Sequence, residues 1–291
     1  MFSASDVKTL REKTGAGMLD CKKALQEVNG NIEAAIDWLR EKGIAKAAKK
    51  GDRIAAEGLS QIFVNGNKAV ILEVNSETDF VSRNDEFKNY VEKIGNAILN
   101  GEAKTMEEAM ALDVDGETIE SLTVAITAKI GEKISFRRFT VLEKNDTENF
   151  GSYLHMGGKI ASLVLVEGGN EEVAREVAMH AAAMRPLYVN ASEVPTEVLE
   201  KEKEIMRQEL LNEGKPADKI ENILTGKVRK YYEDVCLENQ IFVKAVNKET
   251  VSKYLENNNS KLITMIRYEV GEGIEKRQDN FAEEVMSQIN G

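Results

Sequence analysis

The order hairpin, polar cap, helix occurs twice in this chain. In the first instance Ile62 and Val64 alternate with polar neighbours, Asn65-Gly66 offers a two-residue type I′ turn, and Lys68 to Val74 form the return strand. Phe87, Val91, Ile94 and Ile98 then share one helical face. In the second, Tyr153 to His155, a Met156-Gly157-Gly158 turn and Lys159 to Val166 precede a helix running from Asn170 to about Met184. Local hairpins that each need a helix to cover one face lead to an α+β fold, in which both units carry their own core. The repetition suggests an internal duplication, with independent α+β subdomains as the alternative.

The flanking segments are helical. Ser5 can cap a helix carrying Val7 and Leu10 that stops at Gly15. A second places Cys21, Ala24, Leu25 and Val28 on one face and ends at Asn29-Gly30, and Asn31 caps a third bearing Ile32, Ala35, Ile36 and Leu39 before Gly43. Three short helices on one small core is the simplest arrangement. Arg40 to Arg53, with six bases and two acids, reads as a solvated helical tail. Between the two hairpin units, Ile119, Leu122, Ile126 and Ile130 make a helical face that stops at Gly131, and Ile134 to Leu142 is strand-like.

Thr196 to Asn212 and Pro216 to Val235 are charged helical patterns separated by Glu213-Gly214-Lys215, so they form a helical hairpin projecting roughly 25 Å. Its seam takes Ile220, Leu224, Val228, Tyr231 and Val235 from one arm, and Val198, Leu199, Ile205, Met206, Leu210 and Leu211 from the other. Leu262 to Val270 is a strand able to rejoin the second sheet, and Asp279 caps a last helix bearing Phe281, Val285 and Ile289.

Composition narrows the function. A net charge of −11 has the wrong sign for affinity to nucleic-acid phosphates. The longest apolar strand run, Leu163 to Val166, is far short of the roughly 20 residues of a membrane span. The first residues have neither the basic start nor the apolar core of a signal peptide, and two cysteines, Cys21 and Cys236, fit a reducing compartment, so a cytoplasmic location is expected. No catalytic group is expected either. His155 and His180 lie near no nucleophile motif, and His180, in an Ala-rich helix, reads as a core or interface residue. Gly15-Ala16-Gly17 follows no strand, and Gly157-Gly158-Lys159 lacks the Ser/Thr of a P-loop, so no direct nucleotide binding is expected. Glu77, Asp79, Asp85 and Glu86 lack calcium-loop spacing, and no metal or cofactor is expected.

One segment stands apart. Asn75-Ser76-Glu77-Thr78-Asp79-Phe80-Val81-Ser82-Arg83-Asn84 puts an apolar pair, Phe80 and Val81, in a polar connection between strand and helix. The pair either folds under its own core or inserts into a partner, as an aromatic anchor beside Asp79 would.

Thr14-Gly15-Ala16-Gly17-Met18-Leu19-Asp20-Cys21-Lys22-Lys23-Ala24-Leu25 resembles the N-terminal signature of the bacterial elongation factor Ts family. Glu73 to Val81 is similar to that family's second signature, and Tyr153 to Ile160 and Arg267 to Gly273 to its later segments. The resemblance runs in order from residue 5 to 288. It implies a ubiquitin-associated-like three-helix domain with a basic helical tail over 1–52 and a first core subdomain over 53–143. A second subdomain follows over 144–190 and 237–270, with the helical hairpin inserted at 191–236 and a C-terminal helical module at 271–291.

The same resemblance implies a guanine-nucleotide exchange factor for elongation factor Tu, the GTPase that carries aminoacyl-tRNA, acting without covalent chemistry. Thr78, Asp79, Phe80 and Val81 match the family's Mg²⁺-dislocating motif, with Phe80 the wedge and Asp79 positioning the loop by hydrogen bonds. Met18 and Leu19 match contacts of the N-terminal domain with the GTPase, the alternative being that they pack within their own domain. His155, Gly157 and Gly158 match a contact of the second subdomain with another Tu domain. The competing expectation is an adaptor or chaperone module of ubiquitin-associated type, without exchange activity.

Overall fold

A computed structural model describes residues 2–14 and 16–275. They fall into two compact units, one drawn from the described residues up to 61, from 72–139 and from 269–275, the other from 62–71 and 140–268. Both helices and antiparallel sheet are present, so the chain is α+β.

The first unit begins with α1 (Ala4–Thr14), α2 (Met18–Glu27) and α3 (Ile32–Ala48) around Val7, Leu10, Cys21, Ala24, Leu25 and Ala35. The cap of α1 is Ser3 rather than Ser5. Its hydroxyl accepts from the Asp6 N–H at 3.3 Å, and Asp6 Oδ2 accepts in return from Ser3 N at 2.7 Å, a reciprocal pair that Ser5, already the second residue of the helix, does not make. Asn29 and Gly30 take φ of 54° and 87° and close α2, and Asn31 caps α3 by accepting from Ala34 N at 3.0 Å. Instead of stopping at Gly43, α3 continues to Ala48. A Cβ at Gly43 would lie 3.5 Å from Ala128, so the glycine sits where α3 runs against α7 (Ile119–Ile130), and its helical cost is offset by that packing. Arg40 donates to Ser121 across the same contact at 3.0 Å.

Next come β1 (Glu57–Asn65) and β2 (Lys68–Ser76). The two turn residues are Gly66 and Asn67, not Asn65 and Gly66. Only Gly66 has positive φ, at 57°, which is the demand of a type II′ turn with glycine in its first central position. A short helix, α4 (Asp79–Arg83), precedes α5 (Asp85–Asn100), which buries Phe87, Tyr90, Val91, Ile94 and Ile98. Two elements go beyond those expected: α6 (Met106–Met110), held by a Thr105–Glu108 capping box, and the two-residue pair β3 (Asp113–Val114) and β4 (Glu117–Thr118). After α7 ends at Gly131, with φ of 88°, β5 (Ser135–Glu143) completes the order β1-β2-β5.

On β2 the carboxylate of Glu73 is fully buried and fully used. It accepts from Gly271 N at 2.8 Å, Asn75 Nδ2 at 3.0 Å, Arg137 Nη1 at 3.0 Å and Arg138 Nε at 2.6 Å. Burial pushes this carboxyl up, but the Gly271 N–H, the Asn75 amide and the two guanidinium groups outweigh it and hold the group below its ordinary value.

The second unit holds β6 (Glu148–His155), β7 (Ile160–Gly168) and β8 (Ser260–Glu269) in the order β6-β7-β8, with Phe150 opposite Leu165 and His155 opposite Ile160. The strand expected to rejoin this sheet does so. Helix α8 (Glu171–Met184), capped by Asn170, lies on β6 and β7, and Gly151 is the residue that lets the backbone of β6 approach the Ala174 carbonyl. Val164, Val166, Val173, Val177, Leu237, Phe242 and Leu255 fill the core, the last from α11 (Val251–Asn257).

The helical hairpin is α9 (Thr196–Asn212) and α10 (Ala217–Val235), each started by a proline, Pro195 and Pro216. Its buried seam is shorter than expected. Leu210, Ile220 and Leu224 are buried, and Arg207–Glu221 and Lys227–Glu209 ion pairs cross between the arms, but Val198, Ile205 and Leu211 are exposed. At the root of α10, His180 is buried as expected. Its Nδ1 accepts from Val243 N at 3.1 Å, so Nε2 carries the proton and donates to Gln240 Oε1 at 3.0 Å. Gln240 Nε2 in turn donates to Asp234 O at 2.9 Å. The expected helix from Asp279 lies outside the described residues.

Candidate functional site

The segment from Glu77 to Asn84 lies between the end of β2 and the start of α5, and α4 occupies most of it. Five residues are too few for a helix that stands by itself, so its placement depends on what holds its ends. At the start, Thr78 occupies the N-cap position but does not cap: its hydroxyl donates to Glu132 Oε1 at 2.8 Å and its N–H donates to Glu132 Oε2 at 2.9 Å. One residue earlier, Glu77 accepts from Lys133 N at 2.6 Å and from Arg53 Nη1 at 3.3 Å. Lys133 Nζ donates to Gly51 O at 2.6 Å, and Lys50 Nζ donates to Gly131 O. The basic tail is therefore not wholly solvated; Lys50 and Arg53 are tied to this junction.

At the far end Ser82 Oγ donates to Asp79 O at 2.7 Å, and Ser82 and Val81 are buried. Phe80, immediately before them, is 78% exposed. The apolar pair thus splits: in the free chain Val81 is packed inward while the Phe80 ring is exposed. Asp79 makes its hydrogen bonds inside the segment: its Oδ2 accepts from Arg83 at 2.8 Å in an exposed pair one turn on, while the side chains that tie the segment to the rest of the unit include Glu132 and Glu77. Residues 132 and 133 lie more than fifty positions along the chain, and no local pattern marks them.

Met18 and Leu19 open α2 in the same unit, with Gly17 at the N-cap position supplying no side chain to screen them. Leu19 is 82% exposed and Met18 half-exposed. His155, Gly157 and Gly158 belong to the second unit, at the turn between β6 and β7. His155 is exposed and stacks on Tyr153 with ring centroids 6.1 Å apart, Gly157 is exposed and Gly158 buried. The turn holds positive φ at Met156, Gly157 and Gly158, which presents Met156 outward; sequence reading counted that residue only as part of the turn.

Among the described residues no cluster of three or more His, Cys, Asp or Glu side chains has the arrangement of a metal site, and no helix is long and apolar enough to cross a membrane. What the first unit offers is an aromatic ring held out on a pinned backbone, an arrangement suited to insertion into another protein.

A family model described as elongation factor Ts matches residues 77–272, beginning at the residue that Lys133 and Arg53 hold. The chain belongs to the elongation factor Ts family. It is 51% identical over 289 residues to elongation factor Ts of Limosilactobacillus fermentum, an alignment covering 99% of each chain and therefore the three-helix segment as well. Its role is that of the family, guanine-nucleotide exchange on elongation factor Tu during translation.

Proposed function

We propose that exchange acts through Phe80, with α4 as its rigid mount. A GTPase holds GDP through backbone amides and Mg²⁺ on its phosphates, and release is slow while these contacts are intact. A ring inserted between elements of the GTPase displaces the backbone that organises the metal and phosphate site. Binding that favours the nucleotide-free form must weaken nucleotide affinity by the factor by which nucleotide weakens its own. No covalent step is needed, and the factor contributes no metal, cofactor or nucleotide site of its own.

The observation that carries this reading is the pairing of an exposed Phe80 with buried neighbours, Val81 and Ser82. A ring exposed on a pinned backbone loses little entropy on insertion, which favours a hot spot. Met18 and Leu19 extend the surface offered to the GTPase, and the turn from His155 to Gly158 supplies a second contact with a different Tu domain. In this reading the chain keeps the division at 1–52, 53–143, 144–190 with 237–270, 191–236 and 271–291, and works in the cytoplasm.

The test is Phe80→Ala in stopped-flow release of fluorescent GDP from Tu. Loss of a hot-spot aromatic worth about 2–4 kcal/mol slows exchange or weakens association by about 30-fold to 1,000-fold. An unchanged release rate would refute the wedge.

A further inference from the structure

Resting on that reading, we infer that Glu132 is a positioning residue for exchange, acting on Phe80 through Thr78. The carboxylate takes both donors of Thr78, at 2.9 Å and 2.8 Å, so the residue that starts α4 is fixed in position and in rotation. Charge-assisted bonds to one carboxylate are stronger than the neutral cap they replace. Thr78 gives up its own capping role to make them, since its hydroxyl caps no amide of α4.

Phe80 lies two residues beyond this clamp. Ser76 Oγ donates to Thr78 O at 2.9 Å, and Ser82 and Arg83 bond to Asp79 within α4. A helix of five residues is too short to hold its direction by such local bonds alone, and Glu132 is the tie to Thr78 that comes from outside β2 and α4. The inward packing of Val81 fixes only the far side of the turn. Glu132 itself is held beside the clamp: the next residue, Lys133, donates its N–H to Glu77 and its ammonium group to Gly51 O, and Gly131 O accepts from Lys50. The turn at 131–133 therefore gathers the start of the exchange segment and the end of the basic tail onto the same three residues. Glu132 need not touch the GTPase; its effect is to keep the ring presented.

The experiment compares the full-length wild type with Glu132→Ala, Glu132→Gln, Thr78→Val and the double variant Glu132→Ala/Thr78→Val, with Phe80→Ala as the control. Two quantities are read: the saturated rate of fluorescent GDP release from Tu, and hydrogen exchange of amides 78–83 in the free factor. The expected result is an approximately tenfold slower saturated rate for Glu132→Ala and for Thr78→Val. The double variant is expected to be no slower than the worse single, and Glu132→Gln, which keeps one acceptor oxygen, to lie between. Amide exchange at 78–83 rises in Glu132→Ala while α5 stays protected. Wild-type release by Glu132→Ala beside a slow Phe80→Ala overturns the inference and leaves the wedge standing; wild-type release by Phe80→Ala removes both. Additive losses in the double variant also overturn it. If Glu132→Ala does not fold, Glu132→Gln and Thr78→Val carry the test.

Discussion

Phe80 and Val81 are adjacent in the chain and opposite in environment, the first 78% exposed and the second 8%. Truncating each should therefore move a different measurement. Phe80→Ala is expected to leave the thermal midpoint of the free factor almost unchanged while slowing exchange. Val81→Ala removes buried methyl groups and is expected to cost roughly 1–3 kcal/mol of folding free energy. Paired thermal melts and release assays check this, and a midpoint that falls more for Phe80→Ala than for Val81→Ala would contradict it.

The buried Glu73 should impose an acid limit on the first unit. Its folded pKa lies below its ordinary value of 4.5, so the unfolded chain binds the proton first and stability rises with pH across that interval. The contribution is complete above about pH 5 and is lost as pH falls through the folded value. Glu73→Gln is expected to cost about 3 kcal/mol at neutral pH and to flatten the acid limb of a plot of urea midpoint against pH.

Gly271 supplies one of the bonds to Glu73 from a backbone with φ of 75°. A Cβ there would fall well inside contact distance of the Ala56 carbonyl oxygen. Gly271→Ala is expected to destabilise by about 3 kcal/mol or more, because strain in the left-handed region adds to a backbone collision that no rotamer relieves. Urea unfolding measures it, and a loss below about 1 kcal/mol would show that Gly271 is free to move.

His180 predicts a separate pH response in the second unit. Burial pushes its pKa below the ordinary 6.5, against the hydrogen bond to Gln240. Protonation would place a second donor opposite the Val243 N–H. A depressed folded pKa means a contribution present above pH 6.5 and lost as pH falls towards the folded value. The thermal midpoint of the wild type should therefore drop between pH 7.5 and 5.5 by more than that of His180→Asn, whose baseline is lower throughout.

Much of the fold is legible locally. Asn31 and Asn170 mark helix starts because an amide oxygen next to an apolar repeat has one favourable use, and Gly131 and Gly30 mark ends because few other residues accept their backbone. Pro216 marks the start of the second arm of the hairpin for the same kind of reason. The misses arise where a distant partner decides. Gly43 continues a helix because Ala128 lies beside it, and Ile205 stays exposed although its spacing fits a seam. Phe80 was visible as an apolar residue out of place. Its support was not, because a clamp between positions 78 and 132 leaves no periodic trace in either segment.

That clamp also has a consequence for synthesis. The exchange segment is encoded early, yet its anchor waits for Glu132 and Lys133, and its second tether comes from Arg53 behind it. A chain leaving the ribosome presents the Phe80 sequence well before it has the carboxylate that aims the ring, and closing a loop of more than fifty residues is a late event in folding. Fragments ending before residue 132 should therefore carry the motif without its activity, so that the factor becomes competent only after the whole of this sheet-and-helix unit up to β5 has been made.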